Sequence, residues 1–263
     1  CKVFGIPKLR RKAHFCAIPS TSGTATEVTA FSIITDYSKG IKYPIADFEI
    51  TPDVAIVDPD LAETMPKKLV AHTGMDAMTH AIEAYVSTAN CDFTDPLALH
   101  AIKMIQNDLV GSYNGDMAKR DSMHNAQCLA GMAFSNALLG IVHSMAHGLS
   151  ALYDTPHGVA CAILLPVGLE YNKTVAGERY RAVGKAMGVK GIDEMNDAQA
   201  ADATIAAVKQ LSADVGIPAN LNGILKEEDI QFLAESAYAD ACRPGNPRDT
   251  SVEEIVELYK SQL

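Results

Sequence analysis

The sequence predicts a chain with two parts: an α/β segment over residues 1–62, followed by an all-α segment over 63–263. Three observations carry this prediction. Short, partly β-branched runs separated by Gly, Ser, Asp and Pro end with DVAIVD at 53–58. From Met65 onward apolar residues recur at helical spacing, with Pro66 opening the first such stretch. The interruptions of that spacing carry the Gly, Pro or Asp expected of turns.

In order along the chain, strands are expected in HFCAIP (14–19), FSIITD (31–36) and DVAIVD (53–58). Helices are expected near 66–88, 96–111, 117–138, 140–152, 158–172, 175–187, 195–215, 226–240 and 251–262. CDFTDP, SYNGD, YDTPHG, MGVKGIDEM and CRPGNPRD mark the breaks between them. No internal repeat and no low-complexity tract is present. The strand-bearing part is too short for the two βα halves of a complete dinucleotide-binding domain, and no G-x-G-x-x-G occurs in the sequence.

Composition narrows the class. At 263 residues the chain can bury a sizeable core, and 48% hydrophobic against 21% charged residues places it among globular proteins. A formal charge of −10 disfavours nucleic acid and anionic membrane as partners. The basic run KLRRK at 8–12 reads as a solvated surface segment, with a phosphate contact as the lesser alternative. Six cysteines, at 1, 16, 91, 128, 161 and 242, form no CxxC or regular framework; they read as reduced, cytoplasmic thiols and as small buried hydrophobes. No apolar stretch reaches the roughly 18 residues of a membrane span, and no signal-type apolar region opens the chain, so a soluble cytoplasmic protein is expected.

The chemistry is concentrated in two motifs. In GMDAMTHAIEAY, Asp76 and His80 are four apart and share one helix face; in IVHSMAHGLSALYDTPHG, His143 and His147 do the same, and His157 follows a Pro suited to opening a new helix. A single histidine is more often a hydrogen-bonded core residue. Two polar pairs interrupting apolar faces are different, because burial without partners would cost about 1–3 kcal/mol per group. Three imidazoles and one carboxylate, from Asp76, His80, His143 and His157, would give a mixed nitrogen and oxygen shell suited to Fe(II), Zn(II), Mn(II) or Co(II).

These motifs, with GMAFSNALLG ahead of the second one and STSGTATEVT at 20–29, resemble the iron-containing (group III) alcohol dehydrogenases, in particular the lactaldehyde reductase and 1,3-propanediol dehydrogenase branch. The resemblance runs over the whole chain. It implies the dehydroquinate synthase-like fold of that family, with 1–62 as a remnant of the nicotinamide-cofactor domain and 63–263 as the helical metal-binding catalytic domain. It also implies Asp76, His80, His143 and His157 as ligands of Fe(II), or of zinc or another divalent metal, and NAD or NADP as cofactor. The family's glycine-rich GGGS turn is not found, and the chain starts at Cys1; a piece lacking roughly a third of a full-length member is therefore expected.

Read from residues alone, the Ser/Thr/Gly cluster at 20–29 is a turn or cap that could also donate to phosphate or ribose oxygens. The resemblance implies contact with the cofactor from Ser20, Thr21 and Thr24; Lys42 is either a further cofactor residue or a solvated lysine. His147 is surplus to a four-ligand shell, which leaves it an orienting hydrogen bond or a proton relay. Phe31, Phe134 and Cys242 match places that line the substrate pocket of similar enzymes, with core packing the alternative for Phe134 and Cys242.

The function implied is hydride transfer between NAD(P) and a small primary alcohol, diol or aldehyde, in a homo-oligomer of dimer size or larger. The rivals are a folded metal-binding fragment without turnover, and a glycerol dehydrogenase-like or dehydroquinate synthase-like metalloenzyme. A neutral pocket segment rich in Met, Ala and Phe disfavours the acidic substrate of the last.

Overall fold

The computed structural model describes residues 5–9, 13–39 and 41–263; Cys1 and residues 10–12 of the basic run lie outside the described residues. Among the described residues, four strands form two small ladders. β1 (Cys16–Ala17) pairs in parallel with β4 (Val54–Ala55). β2 (Phe31–Asp36) pairs antiparallel with β3 (Ile41–Ala46), Phe31 opposite Ala46 and Asp36 opposite Ile41.

FSIITD is the strand expected, but HFCAIP and DVAIVD yield only two paired residues each. Each has a single ladder partner and little burial to gain: Cys16, Val54 and Ala55 are exposed. β3 was not anticipated, because Pro44 lacks a backbone donor and reads against a strand. A two-stranded ladder leaves each strand with a free edge where a proline is tolerated.

Eight α-helices follow: α1 (Lys67–Val86), α2 (Asp95–Tyr113), α3 (Met117–Ala137), α4 (Ile141–Tyr153), α5 (His157–Ala186), α6 (Asp197–Asp214), α7 (Ile230–Tyr238) and α8 (Val252–Lys260). Their starts are written locally. Asp116 accepts from Lys119 N–H at α3, and capping boxes open α6 (Asn196 with Gln199) and α8 (Ser251 with Glu254). Among the described residues, no single helix is long and apolar enough to cross a membrane.

One expectation needs correction. Residues 158–172 and 175–187 form one helix, α5, which runs through Pro166 and through the NKT at 172–174. Asn172 is buried and exchanges two amide hydrogen bonds of 2.8 Å with Asn246, so a partner 74 residues away overrides the local preference for a turn. A second correction concerns the thiols: Cys128, Cys161 and Cys242 are buried, whereas Cys16 and Cys91 are exposed, and all five are free.

α1 is the axis of the helical part. From Val70 to Val86 every residue but His72 is buried, because α2, α3 and α5 pack around it. The start of α5 lies hard against this helix at Gly158, where a Cβ would fall 2.3 Å from the carbonyl oxygen of His72. Glycine here lets the first residue of α5, His157, reach the face that carries Asp76. α4 turns away from α3 by 105° after a break of three residues. Its first turn is capped by distant side chains: Glu83 accepts from Val142 N–H and Asn246 from Ile141 N–H.

Candidate metal centre

α1, α4 and α5 bring their polar residues to one point. Asp76 and His80 come from α1, His143 and His147 from α4, and His157 and Cys161 from α5, each pair four residues apart on one face. Asp76 Oδ1 lies 3.8 Å from His143 Nε2 and 3.7 Å from His157 Nε2. These separations are too long for hydrogen bonds and near the roughly 3.3–3.6 Å between donors bound to one tetrahedral ion at about 2.0–2.2 Å.

Burial makes the arrangement demanding. Asp76 Oδ1 and His143 Nε2 are buried and have no hydrogen-bond partner. An orphaned pair of acceptors in one interior spot would cost free energy that a cation between them removes. The donor set therefore fits a divalent metal.

Charge states agree. Burial depresses His143 to about 3 and His80 to about 4, and drives His157 well below its ordinary value. Neutral imidazoles are the form a metal needs. Burial raises Glu83 to about 8, and its Oε2 lies 2.5 Å from His143 Nδ1. With Glu83 ionised and a proton on Nδ1 directed at it, the lone pair of Nε2 is left facing Asp76.

The remaining histidines differ in role. His80 stacks on Phe134 (ring centroids 4.2 Å) and on His143 (4.6 Å). Its nitrogens lie outside the group of donor atoms, from Asp76, His143, His157 and Cys161, that come within 4.8 Å of one another. His147 donates from or accepts at Nδ1 to Asp240 Oδ2 at 2.8 Å, and its ring stacks on His157 at 5.3 Å. Asp240 and Cys242 complete a second buried group with His147.

A cavity of about 580 Å³ opens onto this cluster. Asp76, His80, His143, His147 and His157 line one end, and Phe31, Phe134 and Cys242 the walls. Thr24, Thr26 and Thr29 contribute hydroxyl-bearing side chains to the lining. Ser20 and Thr21 are outside that lining, Ser20 being exposed and Thr21 half-buried. Lys42 also lies outside it, half-buried and close enough to Asp154 and Cys161 to feel their charge, with burial holding its pKa down.

Sequence reasoning missed Glu83, Asp240, Thr26 and Thr29. Glu83 stands three residues after His80 in HAIEAY, so helical spacing alone could have put it on the same side. Asp240 is 93 residues from His147, and no local signal links the two.

A buried carboxylate and imidazole cluster in a helical domain, open to a cavity of mixed lining, has the make-up of a metal centre with room for a small molecule. Comparison with known proteins agrees. The Fe-containing alcohol dehydrogenase C-terminal family model matches residues 70–263, and the iron-containing alcohol dehydrogenase model matches 3–59. The chain belongs to the iron-containing alcohol dehydrogenase family. It is 53% identical over 262 residues to an NADPH-dependent butanol dehydrogenase of Clostridium saccharobutylicum, covering 98% of this chain and 67% of that protein. It is 47% identical over 254 residues to the lactaldehyde reductase of Escherichia coli K12, covering 96% and 66% respectively. The alcohol dehydrogenase from Oenococcus oeni superposes with a TM-score of 0.94 at 39% identity, covering 99% of this chain and 69% of that one. The chain thus spans about two thirds of the length of these two relatives.

Proposed function

We propose that this chain carries the metal-binding part of an NAD(P)-dependent dehydrogenase that interconverts small primary alcohols or diols with their aldehydes. The observation that supports this most is the pair of buried, unpartnered acceptors, Asp76 Oδ1 and His143 Nε2, directed at one point. Asp76, His80, His143 and His157 would hold the ion. When bound, the metal polarises a substrate oxygen and the nicotinamide gives or takes the hydride.

The protein supplies place, dryness and protons. Phe31 and Phe134, with ring centroids 6.1 Å apart, wall the cavity with apolar surface that admits a short carbon chain and keeps water away. Thr24, with Thr26 and Thr29, offers hydroxyls to the cofactor from the lining of the cavity. His147 is the proton carrier in this reading: Asp240 fixes its Nδ1, which leaves Nε2 to exchange a proton with an alcohol oxygen. The five free cysteines among the described residues suit a reducing compartment, and the cytoplasm is proposed on that ground.

The test is anaerobic loading with Fe(II) or Zn(II), then NADH- and NADPH-dependent reduction of short aldehydes such as propanal and lactaldehyde. Metal-dependent reduction of one of them is expected. A fully metal-loaded enzyme, extended to the full length of its relatives, that oxidises neither cofactor with any such aldehyde would sink the proposal.

A further inference from the structure

A second cavity of about 580 Å³ lies between α5, α6 and the end of α8, and no residue lines both it and the cavity at the metal cluster. Its wall is largely aliphatic, with Ile163, Ile217 and Leu258 among the contributors. We propose that it binds a neutral alcohol with an apolar body of several carbons, at a site separate from the metal centre and independent of how that centre is read.

Two polar groups in the wall point to a hydroxyl. Pro166 lies inside α5 and has no N–H, so the carbonyl of buried Ala162, four residues earlier, is left without the donor a helix would give it. Ser212 is buried too, and among the described residues its hydroxyl bonds only the sulfur of Met75, a weak acceptor, at 3.9 Å. Both Ala162 and Ser212 line the cavity. The ion pairs Arg181–Asp197 and Lys173–Asp202 set α5 and α6 antiparallel, which brings positions 162 and 212 to the same end of the helix pair. An alcohol uses both capacities of its oxygen there: it donates to the Ala162 carbonyl and accepts from Ser212, while its carbon chain covers the aliphatic wall. Charge does not select an ion. Lys209 and Glu170 are the charged residues of the lining, one of each sign and both exposed.

The rivals are an anionic chain held by Lys209, since Glu170 is already paired with Lys173, and a second copy of this chain seated on the groove. Isoleucine-methyl NMR separates them and locates the ligand, because Ile163 and Ile217 line this cavity and Ile33 and Ile50 the other. Octanol should shift the Ile163 and Ile217 methyls saturably, and bind about threefold or more tightly than octanoate or than methyl octyl ether, which cannot donate. Ser212→Val removes one partner and should weaken octanol about threefold to tenfold. Pro166→Ala returns an N–H to the Ala162 carbonyl; it should leave α5 no less stable, weaken octanol to a similar extent and leave the ether unchanged. Equal affinity for the ether, tighter binding of octanoate, or octanol affinity unaltered in both variants overturns the recognition of a hydroxyl. Octanol shifts absent from Ile163 and Ile217 overturn the site. Shifts of those methyls that follow protein concentration and not octanol assign the groove to a second copy, and overturn it as well. The chain extended to the full length of its relatives should respond in the same way, and silence of Ile163 and Ile217 there also overturns the proposal. None of these readouts depends on metal, so their failure leaves the proposed function standing.

Discussion

Two buried histidines, His143 on α4 and His124 on α3, each have one nitrogen bonded and one without a partner, yet their surroundings differ. His143 Nδ1 meets Glu83, and its Nε2 faces Asp76 Oδ1, with His157 and Cys161 beside it. His124 Nδ1 bonds Ser22 Oγ at 3.0 Å, while its Nε2 is among the unpartnered buried atoms. Near it Gln127 donates to Glu27 Oε1 at 2.7 Å, and Glu27 Oε2 is unpartnered as well. Among the described residues, no group of metal-ligating atoms includes His124 or Glu27. An orphaned atom therefore does not define a metal site. What sets the first cluster apart is that possible ligand atoms of four residues lie within 4.8 Å of one another.

The second cluster has a mechanical task instead. Successive turns of α3 fasten the loop that carries the threonines: His124 to Ser22, Gln127 to Glu27, Gly131 under Ala25, and Ser135 Oγ to Ala30 N–H. Gly131 is required by that contact, since a Cβ there would lie 2.2 Å from the Cβ of Ala25. Under the proposed function one buried histidine cluster holds the metal, while the other fastens the segment whose threonines line the cavity.

The sharpest break between them is metal retention. Asp76→Ala should abolish stoichiometric binding, lowering affinity at least a hundredfold, because it removes the only charged oxygen in the donor set. Metal analysis after dialysis reads this directly, and one equivalent of tightly held metal in the variant would refute the assignment. Glu83→Gln comes next. The amide oxygen can still accept from Val142 N–H, but its NH₂ then meets His143 Nδ1 and forces that nitrogen to accept. The ring proton moves to Nε2, the atom needed for the metal, so a tenfold to roughly hundredfold weaker affinity is expected in chelator competition. Unchanged affinity would show that Glu83 does not orient the ligand.

His147→Gln should leave metal content untouched and still cost turnover. A glutamine can bond Asp240 but cannot carry a proton, and a general acid–base group of this kind contributes about a hundredfold or more. Loss of metal in this variant would move His147 into the ligand set, in which case Asp240 and Cys242 would belong to the same centre.

Much of this was legible beforehand where the rule is local. Repeated i, i+4 spacing placed α1 and α4 and paired Asp76 with His80 and His143 with His147, while the proline ahead of His157 marked the start of α5. That rule also applied to Cys161, four after His157, but a cysteine in VACAILLP satisfies a packing reading equally well. The parts that stayed hidden depend on distant partners. Asn246 keeps α5 continuous, Asp240 reaches His147 across 93 residues, and β3 forms despite Pro44 because β2 supplies a partner. Glu83 needed both kinds of knowledge: the spacing puts it near His80, but only the folded chain brings the first turn of α4, with Val142 N–H and His143, within its reach.

The smallest effect on the metal, and the one that tests the bracing role, is expected from Ser22→Ala. This substitution deletes the hydroxyl that partners His124 Nδ1 and leaves a buried ring with neither nitrogen bonded. Leaving a buried polar atom unsatisfied costs about 1–3 kcal/mol, so the denaturation midpoint should fall by a corresponding amount. Metal content should not change, since Ser22 and His124 belong to neither group of donor atoms. The loop at 20–30 should loosen, and hydrogen exchange at Ala30, whose N–H is held by Ser135, reports whether the loosening spreads along the segment. If Ser22→Ala instead released the metal while leaving stability intact, the two clusters would be one connected site, and the division between a binding and a bracing histidine would fail.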